Sequence, residues 1–171
     1  MKIKHIDSDI REVFDNVIQL VNNTTNDELN EVPFEGSWTI GQVAQHIILC
    51  SGGVLDNQTK EAGRPYDEKV DELRSIFLNM EQKSQAAPGV YPSMRMYNQE
   101  ELVKQLESNK ANLLGIIDER DLMQLSLDIE FPFMGYLTRY EWLAFICFHT
   151  HRQLNQMNNI RQRLAASAGI L

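Results

Sequence analysis

The run from Thr138 to Ala165, TRYEWLAFICFHTHRQLNQMNNIRQRLA, constrains this chain more than any other stretch. Thr138 with Glu141 is the signature of a capping box, in which each side chain bonds the other residue's backbone N–H, so a helix is expected to begin there. No Pro or Gly interrupts the run before Gly169. At about 100° per residue, Trp142, Phe145, Ile146, Met157 and Ile160 share one face. His149, Gln153 and Gln156 project into the middle of that same face. Buried without partners, such groups cost roughly 1–3 kcal/mol each, so the stripe demands specific company.

Three further helices are expected. Ser8 to about Val21 carries Ile10, Val13, Phe14, Val17, Ile18 and Val21 at helical spacing, with Ser8 as cap, and the polar run NNTTNDELN ends it. His5, just ahead, reads as a solvated residue near the terminus. After the loop EVPFEGSW, Thr39 and Gln42 form a second capping box. The helix that follows turns Ile40, Val43, Ala44, Ile47 and Val54 inward, sets His46 at the edge of that arc, and ends or bends at Gly52-Gly53. Asn98 caps a third helix, with acids in its first turn where the dipole favours them. Its stripe of Leu102, Leu106, Leu113, Ile116 and Ile117 is imperfect around Asn109.

Between these lie two irregular stretches. Residues 57–97 hold one short amphipathic helix, expected within Asp67 to Met80, then the loop AAPGVYPSM. Residues 121–137 form a connection containing Pro132 and Gly135. No stretch alternates as a strand would, and no internal repeat is present. The expected fold is all-α: a single domain over residues 1–171, a four-helix bundle with a long crossover connection and a short extra helix.

Charge narrows the partners. Acids outnumber bases 24 to 16, a net charge of −8, which argues against nucleic acid and anionic lipid. No apolar run approaches the roughly 18 residues that span a bilayer, and MKIKHIDSDIREVF lacks a signal-peptide core, so a cytoplasmic location is expected. The two cysteines, Cys50 and Cys147, read as a reduced, buried pair.

The candidate site is His46 on the second helix with His149 and Gln153 on the fourth. Residues at i and i+4 present donors from one side, and a third from a neighbouring helix completes a facial set with an open position. The competing reading is a hydrogen-bonded polar core in which Gln153 and Gln156 pair with each other or with backbone. His151 points to the opposite side of its helix and is expected to be solvated. Cys50, one turn beyond His46, is an alternative third ligand, although an inert buried thiol is the simpler expectation.

SWTIGQVAQHI, followed by FPFMGYLTRYEWLAFICFHTHRQLNQM, resembles the DinB-like (DinB/YfiT) superfamily of bacterial four-helix proteins. The resemblance rests on Trp38 ahead of the helix bearing His46, on the Gly135-x-Leu137-Thr138 entry with Glu141-Trp142, and on the run from His149 to Gln156. It implies a divalent metal, nickel or zinc, held by His46, by His149, and by position 153, where this chain has Gln153 in place of a third His. Three outcomes follow: a weakened site with a Gln ligand, a site with a different third ligand, or a bundle without metal.

Two functions are then expected to compete. One is a metal-dependent thiol S-transferase or hydrolase acting on a small-molecule substrate or thiol. The other is a non-catalytic small-molecule-binding or interaction bundle in which His46, His149, Gln153 and Gln156 form a polar pocket. A homodimer is expected for either, from the resemblance and from the frequency of two-fold assemblies.

Overall fold

The computed structural model describes residues 5–54, 57–81, 87–167 and 169. In chain order the elements are α1 (Ile6–Asn22), α2 (Asn26–Asn30), α3 (Ile40–Cys50), β1 (Thr59–Glu61), α4 (Val70–Phe77), a 3-10 turn at Pro88–Val90, α5 (Gln99–Glu119), β2 (Gln124–Ser126) and α6 (Arg139–Ser167). The four long helices α1, α3, α5 and α6 make the bundle. α1 packs against α5 and α6, and α3 packs against the same two, so α1 and α3 stand diagonally opposed. Both α1-to-α3 and α5-to-α6 therefore cross a diagonal, which is why their connections are longer than a simple up-and-down bundle needs.

The apolar periodicity fills the interior, although Trp142, Phe145, Ile116 and Ile117 of the expected stripes are only partly buried against it. Ile10, Phe14, Val17 and Val21 of α1 meet Ile40, Val43, Ala44 and Ile47 of α3, Leu102, Leu106 and Leu113 of α5, and Ile146, Met157 and Ile160 of α6, all buried. The flaw in the α5 stripe has a cause: the Asn109 side-chain amide donates to the Ile48 carbonyl (2.9 Å) and to Ser51 Oγ (3.0 Å) at the end of α3. The Ile48 carbonyl is one that a helix end otherwise leaves unmet. Gly41 fits for a steric reason, since a Cβ there would lie 2.9 Å from the Leu29 carbonyl and the Tyr97 side chain.

α6 differs from a one-sided helix. Leu143, Ala144, Cys147 and Phe148 are also buried, and Ala144 and Phe148 join Leu73, Met134 and Leu137 in a second apolar cluster under α4. Its first turns are thus covered on two sides, by the bundle and by the long connection. A single stripe describes only half of what α6 buries.

Several expected details need correction. α1 starts at Ile6 with His5 as N-cap, and Ser8 sits in the first turn with its hydroxyl donating to the His5 carbonyl (2.9 Å). His5 is exposed. The NNTTNDELN run does more than end α1: Thr25 and Glu28 form a third capping box and start α2. α3 ends at Cys50, ahead of the Gly pair, and Val54 is buried beyond its end. The short helix expected within 67–80 is α4, at residues 70–77. Ala86 of the expected loop 86–94 lies outside the described residues, and the remainder contains the 3-10 turn. Two strands exist where none is expected: β1 pairs antiparallel with β2, Thr59 facing Ser126. Three-residue strands are too short to show an alternating pattern. Among the described residues no helix is long and apolar enough to cross a membrane.

The start of α6 is held by one carboxylate. Glu141 Oε2 accepts from Thr138 N (2.9 Å), and Thr138 Oγ1 accepts from Glu141 N (3.1 Å), closing the capping box. The same fully buried Glu141 takes a two-pronged bond from Arg64, at 2.6 and 2.7 Å, and accepts from Lys69 N (2.9 Å). Thr138 Oγ1 also donates to the Tyr66 carbonyl (2.6 Å). A cap has become the node that ties residues 64–69 to α6. Removing one partner of a buried pair strands the other charge, at about 3–5 kcal/mol. Glu141→Ala is expected to destabilise the fold by that amount in urea unfolding, and a loss under about 1 kcal/mol, the size of a cap alone, would refute the node.

Candidate metal centre

α3 carries His46 and α6 carries His149 into the same place. The two residues are only 4% and 6% exposed, their rings lie 4.9 Å apart, and their Nε2 atoms are 3.1 Å apart. The helices are brought together by the apolar contacts around them, Val43 and Ile47 on one side and Ile146 on the other. Gln153, one turn after His149, places its side-chain nitrogen 3.2 Å from the same His149 Nε2. The structure thus brings His46, His149 and Gln153 together. Gln156 is half-buried and His151, expected to be solvated, is half-buried as well.

Proton placement at this contact is constrained. His46 Nδ1 lies 2.7 Å from the Val90 carbonyl oxygen. A carbonyl only accepts, so Nδ1 bears the proton and His46 Nε2 is a bare lone pair. If the Gln153 amide donates to His149 Nε2, that nitrogen is bare too, and two lone pairs face each other at 3.1 Å. If His149 Nε2–H instead donates to His46, the amide must turn to offer Oε1, an orientation fixed by the network rather than by heavy-atom positions. Under either arrangement His149 Nδ1 is buried without a partner among the described residues. A divalent cation resolves the contact once the Gln153 amide gives up the His149 Nε2 lone pair: two imidazole nitrogens on one tetrahedral zinc stand about 3.3 Å apart, close to the 3.1 Å between these two.

The surroundings hold both rings neutral, the form that binds metal. Burial pushes the His149 pKa down to about 3, helped by neighbouring His46 and Arg152. Burial also lowers His46, opposed by its bond to the Val90 carbonyl. Aromatic rings wall the pair: Trp38 at 5.2 Å from His46, Phe145 at 5.5 Å and Phe77 at 6.0 Å from His149. Phe77 comes from α4, and Tyr91, 5.3 Å from Trp38, from the segment after the 3-10 turn. The long α3-to-α5 connection therefore flanks the site on two sides.

Cys50 is also here. Its Sγ is 3.8 Å from both His46 ring nitrogens, and donor atoms of His46, Cys50 and His149 all lie within 4.8 Å of one another. It is a free, half-buried cysteine whose thiol pKa burial pushes up to about 12, while Cys147 is free and fully buried. Two participants carry no sequence signal. Val90 acts through a backbone carbonyl, which any residue provides, and Arg64 lies in an irregular stretch far from its partner Glu141.

A crossed four-helix bundle with a buried imidazole pair between its second and fourth long helices defines a recognisable class. The DinB superfamily model matches residues 9–157, and the chain belongs to that family. A curated relative, an uncharacterised protein called YuaE from Bacillus subtilis, is 22% identical over 143 residues, covering 82% of this chain and 87% of the relative. Among solved structures, the four-helix bundle protein TT2238 is similar with a TM-score of 0.53 and 19% identity, covering 89% of this chain and 94% of that one. That likeness speaks to the fold.

Proposed function

We propose that this protein binds a divalent metal through His46 and His149 and uses it on a small molecule, as a thiol S-transferase or hydrolase. The observation that carries the reading is the 3.1 Å approach of the two Nε2 atoms, with the His46 proton committed to the Val90 carbonyl. Metal-bound imidazoles ordinarily donate their second nitrogen to such a carbonyl, which fixes the ring and strengthens the bare nitrogen as a donor. Family membership and the clustering of His46, Cys50 and His149 are compatible with it. Gln153 is the third candidate ligand, through its amide oxygen, or else a hydrogen-bond donor to whatever occupies the pocket.

A zinc or nickel ion held there would supply Lewis acidity, favouring the deprotonated form of a thiol or water brought to it. The chain's own residues do the rest. Burial keeps both rings neutral at neutral pH, so neither has to lose an imidazolium proton before a metal is held. Trp38, Phe77 and Phe145 restrict water around the imidazoles.

Gln153 favours a second reading: a non-catalytic bundle that binds a small molecule in a polar pocket. An amide beside His149 Nε2 can satisfy the pair by hydrogen bonding where an imidazole would take metal. The two separate in solution.

At a zinc concentration about 100 times Kd, binding to the folded state adds about 2.7 kcal/mol. For a domain of this size that raises Tm by about 5–10 °C. Wild type is expected to show this shift and His46→Ala to show none. Equal melting with and without metal would favour the non-catalytic reading. Gln153→His is expected to tighten zinc binding at least tenfold by isothermal titration. Uptake only in that variant would sink the metal-dependent reading for the natural chain.

A further inference from the structure

We propose that Cys50, not Gln153, is the third protein ligand, giving a His46–Cys50–His149 centre. The inference rests on the metal-binding reading above and specifies its donor set. Cys50 follows His46 by one turn on α3, so both project to the same side of that helix. Its sulfur stands 3.8 Å from His46 Nε2, and the three donor atoms fall within 4.8 Å of one another. A thiolate and an imidazole on one tetrahedral zinc are separated by about 3.5 Å, from metal–ligand distances of about 2.3 and 2.05 Å. Bringing the sulfur to that spacing from both imidazoles takes a side-chain adjustment at the last turn of α3 of up to about 1 Å, from 3.8 Å to His46 and from within 4.8 Å across the set.

Gln153 answers the same demand poorly. Its amide nitrogen, not its oxygen, faces His149 Nε2, and its Oε1 is buried without a partner among the described residues. Were it turned, the site would offer a dication three neutral donors in a buried place. Charge decides between the two. The only group of His, Cys, Asp and Glu donors that converges among the described residues contains no carboxylate. The carboxylate nearer the start of α6, Glu141, is committed to Arg64. Among the described residues, Cys50 is thus the one side chain of the converging group that can bring a negative charge to both imidazoles.

The ligation step balances simply. The Cys50 S–H bond breaks, its proton passes to solvent, and the sulfur lone pair forms the metal–sulfur bond, with no change of oxidation state. The soft, charged third donor selects zinc or another thiophilic ion over magnesium, calcium or manganese. It replaces on α3 the donor that position 153 of α6 does not provide.

Cobalt(II) is the probe. Full-length protein is titrated with cobalt chloride, and near-ultraviolet absorption is followed for sulfur-to-cobalt charge transfer. Wild type, Cys50→Ser and Gln153→Ala are compared, each checked by circular dichroism for an intact helical fold. Proton release is measured in parallel in weakly buffered solution. The proposal expects the charge-transfer band in wild type and in Gln153→Ala. It expects no band in Cys50→Ser, with affinity down at least tenfold and about one proton fewer released per ion. Cobalt bound without the band, and lost in Gln153→Ala but not in Cys50→Ser, would overturn Cys50 while leaving the metal-binding reading standing. No cobalt or zinc uptake by folded wild type would overturn both.

Discussion

Glu141 is where the local and the long-range organisation of this protein meet. One carboxylate, wholly removed from water, closes the first turn of α6, accepts two bonds from Arg64 and takes the backbone N–H of Lys69. A charge so placed is tolerable only when every lone pair is used, and here each is. The result fixes the start of α6 relative to the chain that precedes α4. Counting along the rigid helix, the position of His149 two turns later follows from that anchor. α4 then packs on α6 through Leu73 and the Phe77–Phe145 contact, and Phe77 reaches the His149 ring.

The imidazole pair is a consequence of that frame and a strain within it. Bundle packing sets α3 and α6 side by side, and the apolar residues flanking each histidine leave the rings little exposure to water. Two neutral rings with their Nε2 atoms in contact, one of them already bare, make an arrangement that needs either a shared proton or a shared cation. The orphaned Nδ1 of His149 and Oε1 of Gln153 show that hydrogen bonding inside the chain does not satisfy everything buried there. Polar groups stay unsatisfied in a core at a cost of roughly 1–3 kcal/mol each. A core that tolerates this is shaped by something other than stability, as functional sites commonly are.

Much of the bundle was legible because its signals are local. The Thr39–Gln42 and Thr138–Glu141 pairs announce helix starts, and Leu102, Leu106 and Leu113 announce a buried face. His149 stands out as a polar side chain in the middle of an apolar face, His46 at the edge of one, and Gln153 as an amide one turn beyond His149. What the sequence hid is non-local. The Thr25–Glu28 box sat inside a run of polar residues that reads as a loop. The second buried side of α6, with Ala144 and Phe148, is set by α4, which a helical wheel of α6 alone does not contain. Arg64 and Val90 matter through partners far along the chain, one through charge and one through a carbonyl. Cys50 was visible as a neighbour of His46, but its distance to His149 depends on how two helices cross.

Whether the converging imidazoles of α3 and α6 hold a cation is tested by counting metal atoms. Elemental analysis of protein purified without affinity tags or chelators, then dialysed against zinc and against buffer, gives ions per chain. Close to one divalent ion per chain is expected after zinc dialysis, retained through the buffer wash. Folded protein that retains none would contradict cation binding, and the pair would then be two rings sharing a proton.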